Sequence, residues 1–437
     1  MSGFKERYRD NANFRLFIQI LVIFVLSRIF LGLMVPVYNG IMGTNRSFSF
    51  LMNEWDAKKY AYIIDHGYTF PLDTDPQANW AFFPLYSIVC MALKFITFGV
   101  IDTYWIGMIV SNLCIFTGAF YAVKIVRMLG LAQGVSVAGT VDAVAEKPGN
   151  RASQMFYDDG LLVAVFMLAG PYSFYSSSVY TEAMFIMFIV LFFYCAMKKK
   201  FMLAGIMAAL ASGTRIVGCT LVFALLVEMY LDYVQRETQD YPATQAAHTG
   251  KLESESMGTA GKALTWKHIG GFVKYLFLTP QRIVALFLCP LGTFLYMCFL
   301  RFFCGDAWAF KSVQIAWRED TFFPIVGVMW KACTGQIEPR YTYMGWICVA
   351  VFAVYGYMLY RKFYSMAIFG IIALLIPLTS HVMSTCRFII GTFVVFVGLY
   401  DMLKRSKKQV RWLVLAAMAV WEIILVFMWY NSDCWLL

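Results

Sequence analysis

The residues best suited to chemistry in this sequence follow its first long apolar segment. Trp55-Asp56 precedes Lys58, Lys59 and Tyr60, and the same polar loop runs into Asn79-Trp80-Ala81-Phe82-Phe83-Pro84-Leu85-Tyr86. A carboxylate held beside aromatic rings at a water–lipid boundary is placed to take a proton from a sugar hydroxyl. The plainer role for Asp56 is a helix N-cap or a solvated loop acid. Five more ionisable residues belong to the same set by their place along the chain: Arg28, Glu182, Arg215, Asp306 and Arg387. Within or at the mouth of a helix bundle such groups are expensive, and they are functional candidates by default. Glu182 opens an apolar helix, where the macrodipole alone favours an acid. Arg215 and Arg387 abut apolar sequence with no acid nearby. Their forked guanidinium groups match phosphate oxygens, so a phosphate ligand is one source of the missing anion. A structural pair with Asp306 or Glu182 is the other.

What must position these groups is a set of membrane-length apolar segments. Of the 437 residues, 60% are hydrophobic and 14% charged, and the mean hydropathy is +0.65. A soluble chain of this length needs a more charged surface. A span takes about 20 mainly apolar residues. Windows at 16–36, 104–123, 181–197, 283–300, 343–360, 387–403 and 411–430 are of that order. Lipid satisfies no backbone polar group, so the windows read as helices, and the fold class as an all-α polytopic bundle of about 10–12 transmembrane helices. No small-residue cleavage site follows the first window, which reads as a retained span.

The net charge of +10 is an orientation signal and not a sign of nucleic acid. The basic residues cluster at span ends: Lys5, Arg7, Arg9 and Arg15; Lys198-Lys199-Lys200; Arg361-Lys362; and Lys404, Arg405, Lys407, Lys408 and Arg411. Such loops stay cytoplasmic. The loop 38–79 instead carries Glu54, Asp56, Asp65, Asp73 and Asp75, and belongs outside or in a lumen. From there the chain weaves as one integral domain over 1–437. The stretch 124–157 reads as cytoplasmic, and 160–171 leads out to the polar turn after Pro171. Two short arms, 201–212 and 217–231, flank Ser212-Gly213-Thr214-Arg215, forming either one broken helix or two helices whose corner carries Arg215 outward. The hydrophilic segment 232–282 is then cytoplasmic, 283–303 exits, and 304–342 is a second outer region. The segment 80–99, interrupted by Lys94, reads as a partly embedded or interfacial helix and not as a full crossing. The last span, 411–430, leaves the C-terminus outside.

Other motifs carry less. Asp73-Thr74-Asp75 matches the DxD pair that holds a metal in sugar-nucleotide transferases, yet no βαβ pattern hosts it, so solvated loop acids are the better reading. His66, His248, His268 and His381 lack metal-ligand spacing, and the eleven cysteines suggest neither a disulfide framework nor a zinc site. Asn45-Arg46-Ser47 is a sequon on the outer side.

The run Trp55-Asp56-x3-Tyr60-x2-Ile63-x3-Gly67-Tyr68, followed by Ala81-Phe82-Phe83-Pro84-Leu85-Tyr86, resembles the PIG-V family. These are GPI mannosyltransferase 2 proteins and their bacterial relatives, within the GT-C membrane glycosyltransferases. Further stretches agree in order: Pro171-x2-Phe174 through Tyr180-Thr181-Glu182; Thr214-Arg215-x2-Gly218; Gly305-Asp306-x2-Ala309-Phe310 with Gln314 and Trp317; and Ser384-x2-Arg387-Phe388. The resemblance implies a GT-C-type bundle with short outer-face loop helices. It implies transfer of a hexose, mannose in that family, from a polyprenyl- or dolichyl-phosphate carrier to a lipid-linked or surface glycan, as in GPI anchor biosynthesis. Asp56 would be the general base of an inverting reaction, and Arg215, Arg387 and Arg28 would bind the donor phosphate. Trp55, Tyr60, Phe83, Tyr180, Glu182, Asp306, Gln314 and Trp317 would contact sugar or acceptor. No cofactor and no metal is implied, the lipid-phosphate sugar being a co-substrate. The membrane would be the endoplasmic reticulum in a eukaryote and the cell membrane in a bacterium, with the site facing the lumen or exterior. The competing class is a polytopic transporter or lipid flippase. Such a protein usually carries an inverted repeat, and no repeat is evident here.

Overall fold

The computed structural model describes residues 7–8, 10–70, 79–131, 160–239, 266–316, 325–379 and 381–436. Among these, every regular element is helical. Asn11 starts α1 (Ala12–Met42) by accepting the Phe14 N–H at 3.0 Å, and Gly43 ends it in the left-handed conformation at φ 63°. Its 31 residues reach roughly 46 Å, ample for a hydrocarbon core of about 30 Å. After it come α2 (Phe48–Met52), α3 (Asp56–His66), α4 (Pro84–Ile96) and α5 (Thr103–Met128), the last capped by Asp102. The middle of the chain holds α6 (Leu161–Ala169), α7 (Glu182–Met197), α8 (Phe201–Thr214) and α9 (Leu221–Gln239). Then follow α10 (Trp266–Phe277), α11 (Pro280–Leu288), α12 (Leu291–Cys304), the short α13 (Ala309–Ser312) and α14 (Ile325–Cys333). The C-terminal part is α15 (Pro339–Tyr360), α16 (Tyr364–Leu378), α17 (Thr385–Ile390), α18 (Val394–Arg405) and α19 (Lys408–Tyr430).

The protein is an all-α polytopic membrane protein. Among the described residues, five helices are long and apolar enough to cross a membrane: α1, α5, Ile216–Glu237, α15 and α19. A sixth is counted if Ile269–Phe277 and α11, bent by 91°, form one span. The remaining apolar helices α4, α7, α8, α12 and α16 are shorter. Two expected spans are each two helices. The 283–303 segment breaks between α11 and α12 at Pro290, which lacks the N–H that a continuous ladder needs. The 387–403 segment breaks between α17 and α18, where Phe393 is held at φ 47°. Neither break alters hydropathy, so neither shows in an apolar window.

Helix α4 starts with the Tyr86 O–H donating to Gly107 at 2.8 Å and ends with Lys94 bonded to Asp65 at 2.6 Å and to Thr103 at 2.8 Å. Both its ends therefore lie against the first part of α5, and its 13 residues are fewer than those of the long apolar helices. Helices α8 and α9 meet at a corner that carries Arg215, with a 3-10 turn over Ile216–Thr220. The hydrophilic segment starts later than 232, because α9 continues to Gln239. The pair Asp73 and Asp75, Trp317, and the segments 132–159 and 240–265 lie outside the described residues.

Close packing of backbone on backbone joins the α7–α8 hairpin to its neighbours. A Cβ on Gly292 would sit 2.2 Å from the Ala209 carbonyl, and one on Gly205 would sit 2.6 Å from that of Ala285. Small residues let apolar helices approach this closely where no hydrophobic effect drives them together. The basic turns lie at the opposite end from the start of α7. Lys199 approaches Asp232 at 4.0 Å, and Arg236 binds the same acid at 2.9 Å. Asp401 gathers Arg361 at 2.7 Å and Arg405 at 3.1 Å.

Candidate functional site

The local backbone around Trp55 sets the first carboxylate in place. Trp55 is held at φ 56°, a conformation rarely tolerated by bulky residues, directly before the first residue of α3. Asn53 accepts the Val179 N–H at 2.8 Å, and the Tyr180 O–H donates to the Glu54 carbonyl at 2.9 Å. Tyr180 in turn accepts the Asp56 N–H at 3.2 Å. The first loop is thus clamped to the residues that lead into α7, and Asp56 arrives beside Glu182.

Four charged groups then join. Arg387 donates to Asp56 at 2.6 Å and faces Glu182 at 3.1 Å through its Nε. Arg215 binds Glu182 as well. Exposure separates the two acids: the Glu182 side chain is 1% exposed, that of Asp56 33%. Glu182 is therefore the buried anchor of two arginines, and Asp56 is the carboxylate open to a ligand. Aromatic faces line the cations, with Arg215 lying 4.9 Å from the Phe388 ring and Arg387 lying 5.4 Å from that of Tyr180.

These groups open into a cavity of about 380 Å³, inside the ~300–1,000 Å³ range of small-ligand sites. Its polar lining includes Asp56, Glu182, Arg215, Arg387, Lys311 and Gln314. Its apolar lining includes Ile216, Val217, Ile376, Pro377 and Phe388. Tyr60 lines it too, 3.4 Å from the Thr181 hydroxyl and packed on Phe82 at 5.0 Å. Burial, and then the nearby Glu182 carboxylate, push the Tyr60 hydroxyl above the ordinary phenol range, although Thr181 and Arg215 draw it back. Tyr60 is thus a neutral hydroxyl and not a base. Phe83 lines the cavity from a small cluster with Tyr296 and Phe310, whose rings lie 5.0 and 5.5 Å away.

The structure brings Asp56, Tyr60, Phe83, Tyr180, Glu182, Arg215, Gln314 and Arg387 together at this cavity. Three expected residues fall elsewhere. Arg28, in the interior of α1, donates to the Leu168 carbonyl at 3.2 Å and lies over the Phe24 ring. It serves the α1–α6 contact and is not among the residues that line the cavity. Asp306 is exposed and caps the turn into α13, accepting the Trp308 N–H at 2.8 Å and the Ser312 O–H at 3.3 Å. Its carboxylate is occupied with that cap and does not line the cavity. Trp55 acts through its backbone, its ring being outside the lining. Lys311, Trp308, Ile376, Pro377 and Thr379 line the cavity without having been singled out as its contacts. Lys311 directly follows the Ala309-Phe310 run, which was the available signal. Among the described residues no group of three or more His, Cys, Asp or Glu side chains comes together as a metal site.

No family model matches this chain, and no curated protein matches it.

Proposed function

We propose that this protein is a membrane glycosyltransferase that moves a hexose, mannose by its resemblance to the PIG-V family, from a polyprenyl or dolichyl phosphate to a glycan acceptor. The observation that carries this reading is the mixed lining of the cavity. Its charged side chains suit a sugar phosphate, and its apolar ones suit the first isoprene units of the carrier. The acid most open to the cavity, Asp56, takes the proton from the acceptor hydroxyl as that oxygen attacks the anomeric carbon. The bond from that carbon to the phosphate oxygen breaks, the electron pair leaves with the lipid phosphate, and the configuration inverts. Arg215 and Arg387 each use part of their five N–H donors on the acids, and the rest are free to meet the charge that develops on phosphate. The cavity lies at the end of α7 opposite the lysine turn 198–200. With basic loops kept in the cytoplasm, it opens to the lumen or exterior.

The test is transfer from labelled polyprenyl-phosphate-mannose in detergent, wild type against Asp56→Asn. Loss of a positioned general base lowers kcat by roughly 10²–10⁴-fold. The thermal midpoint should hold, because Arg387 keeps Glu182 as a partner. Unimpaired turnover by the variant would overturn the assignment.

A further inference from the structure

Five charged side chains line the cavity: the carboxylates Asp56 and Glu182, and the cations Arg215, Lys311 and Arg387. The two arginines are matched by the two acids through direct ion pairs. That quartet is neutral as a whole and attracts an arriving anion only weakly. Lys311 makes no ion pair among the described residues, and its charge leaves the cavity with one net positive charge. The scaffold beneath it is firm. Phe310 is buried against Phe83, the Asp306 cap fixes the turn into α13, and Gln314 donates back to the Phe310 carbonyl at 3.3 Å. Lys311 itself is exposed. Ile376, Pro377 and Phe388 line the same cavity. A cation beside low-dielectric side chains acts more strongly on an anion than the same cation in open water.

We propose that Lys311 receives the phosphate of the lipid-linked substrate in this cavity, ahead of the arginines, which are held first by Asp56 and Glu182. The inference rests on the glycosyltransferase reading for the identity of the lipid, but not for the existence of the anion site. An ammonium group is a mobile point charge with three donors. It can follow the phosphate as the bond to the sugar breaks and the oxygens gain charge. The released polyprenyl phosphate, carrying more charge than the donor, is then held more tightly than the donor and inhibits.

The experiment measures binding of a short polyprenyl monophosphate to the full-length protein in detergent, by thermal shift and by competition against sugar transfer. Wild type is compared with Lys311→Ala and Lys311→Arg, and inorganic phosphate at equal concentration is the control. Lys311→Ala should weaken polyprenyl phosphate roughly tenfold, the scale of one charge-assisted contact. Donor KM should rise more than kcat falls, and Lys311→Arg should restore most of the affinity. Because the side chain is exposed, the thermal midpoint without ligand should stay at the wild-type value. Unchanged affinity in Lys311→Ala overturns the inference, as does a wild type that does not bind the probe. Equal protection by inorganic phosphate overturns the lipid as its source. If the wild type binds the probe through Lys311 yet transfers no sugar, the transferase reading fails and the anion site stands.

Discussion

Replacing Glu182 by glutamine removes the one carboxylate that two arginines share. Its side chain is 1% exposed, whereas Arg387 and Arg215 are 13% and 16% exposed. Removing one partner of a buried pair destabilises by about 3–5 kcal/mol, because a charge is left in a poor solvent. The low end applies here: Arg387 keeps Asp56 at 2.6 Å, and Arg215 borders a cavity that water can enter. The expected loss is therefore about 3 kcal/mol. A second variant tests the cause. Glu182→Gln combined with Arg215→Gln restores charge balance and should recover about 1–2 kcal/mol, the usual scale of coupling between contacting groups. The assay is chemical unfolding in detergent micelles, followed by tryptophan fluorescence, with wild type and Asp56→Asn alongside. A Glu182→Gln variant that loses less than about 1 kcal/mol, the scale of a surface pair, would refute the view that this acid anchors the site. So would a double variant no more stable than the sum of two single losses.

Further changes follow from the same geometry. Arg215→Ala or Arg387→Ala should raise donor KM more than the lysine replacement does, because lysine keeps the charge and loses only the fork; donor saturation curves check this, and normal saturation in both alanine variants would remove the arginines from phosphate binding. Gly218→Ala would set a Cβ 2.4 Å from the Ser212 nitrogen and 2.5 Å from the Ala211 carbonyl carbon, so the corner carrying Arg215 must shift. A loss of at least about 2 kcal/mol is expected, read by pulse proteolysis and accompanied by weaker transfer.

Hydropathy made the interiors of the long helices legible, because an apolar run of span length has few alternatives to a helix in lipid. It missed Pro290 and the Gly391–Phe393 break, since a count of apolar residues carries no backbone angle. The rule that buried charge is functional gathered Arg215, Arg387 and Glu182, which the structure joins. It also gathered Arg28, because it registers only that a charge lies in apolar sequence and not which neighbour receives it. Asp306 had a readable local role. An acid two residues ahead of a backbone N–H forms an Asx turn, and the Trp308 N–H is where it is spent. Lys311 stayed hidden for the opposite reason, as a lysine in an outer loop reads as a solvated charge until tertiary packing turns it toward a cavity. Nothing in the residue types announced the positive φ of Trp55.

Three charges of the quartet also share a position within their elements: each stands at a helix end. Asp56 and Glu182 are the first residues of α3 and α7, where the macrodipole is positive. Arg215 follows the last residue of α8, where carbonyls point outward, whereas Arg387 is the third of the six residues of α17 and belongs to neither end. Each of the three signs therefore matches the end it occupies, by roughly 0.3–2 kcal/mol depending on burial. The ion pairs and these helix ends favour the same placement of charge. Exchanging the signs of Glu182 and Arg215 would preserve the contact and set both charges against their helices. That pair is thus fixed in polarity by the backbone that carries it. Asp56 keeps its place at the open side because the buried position belongs to the acid with two partners.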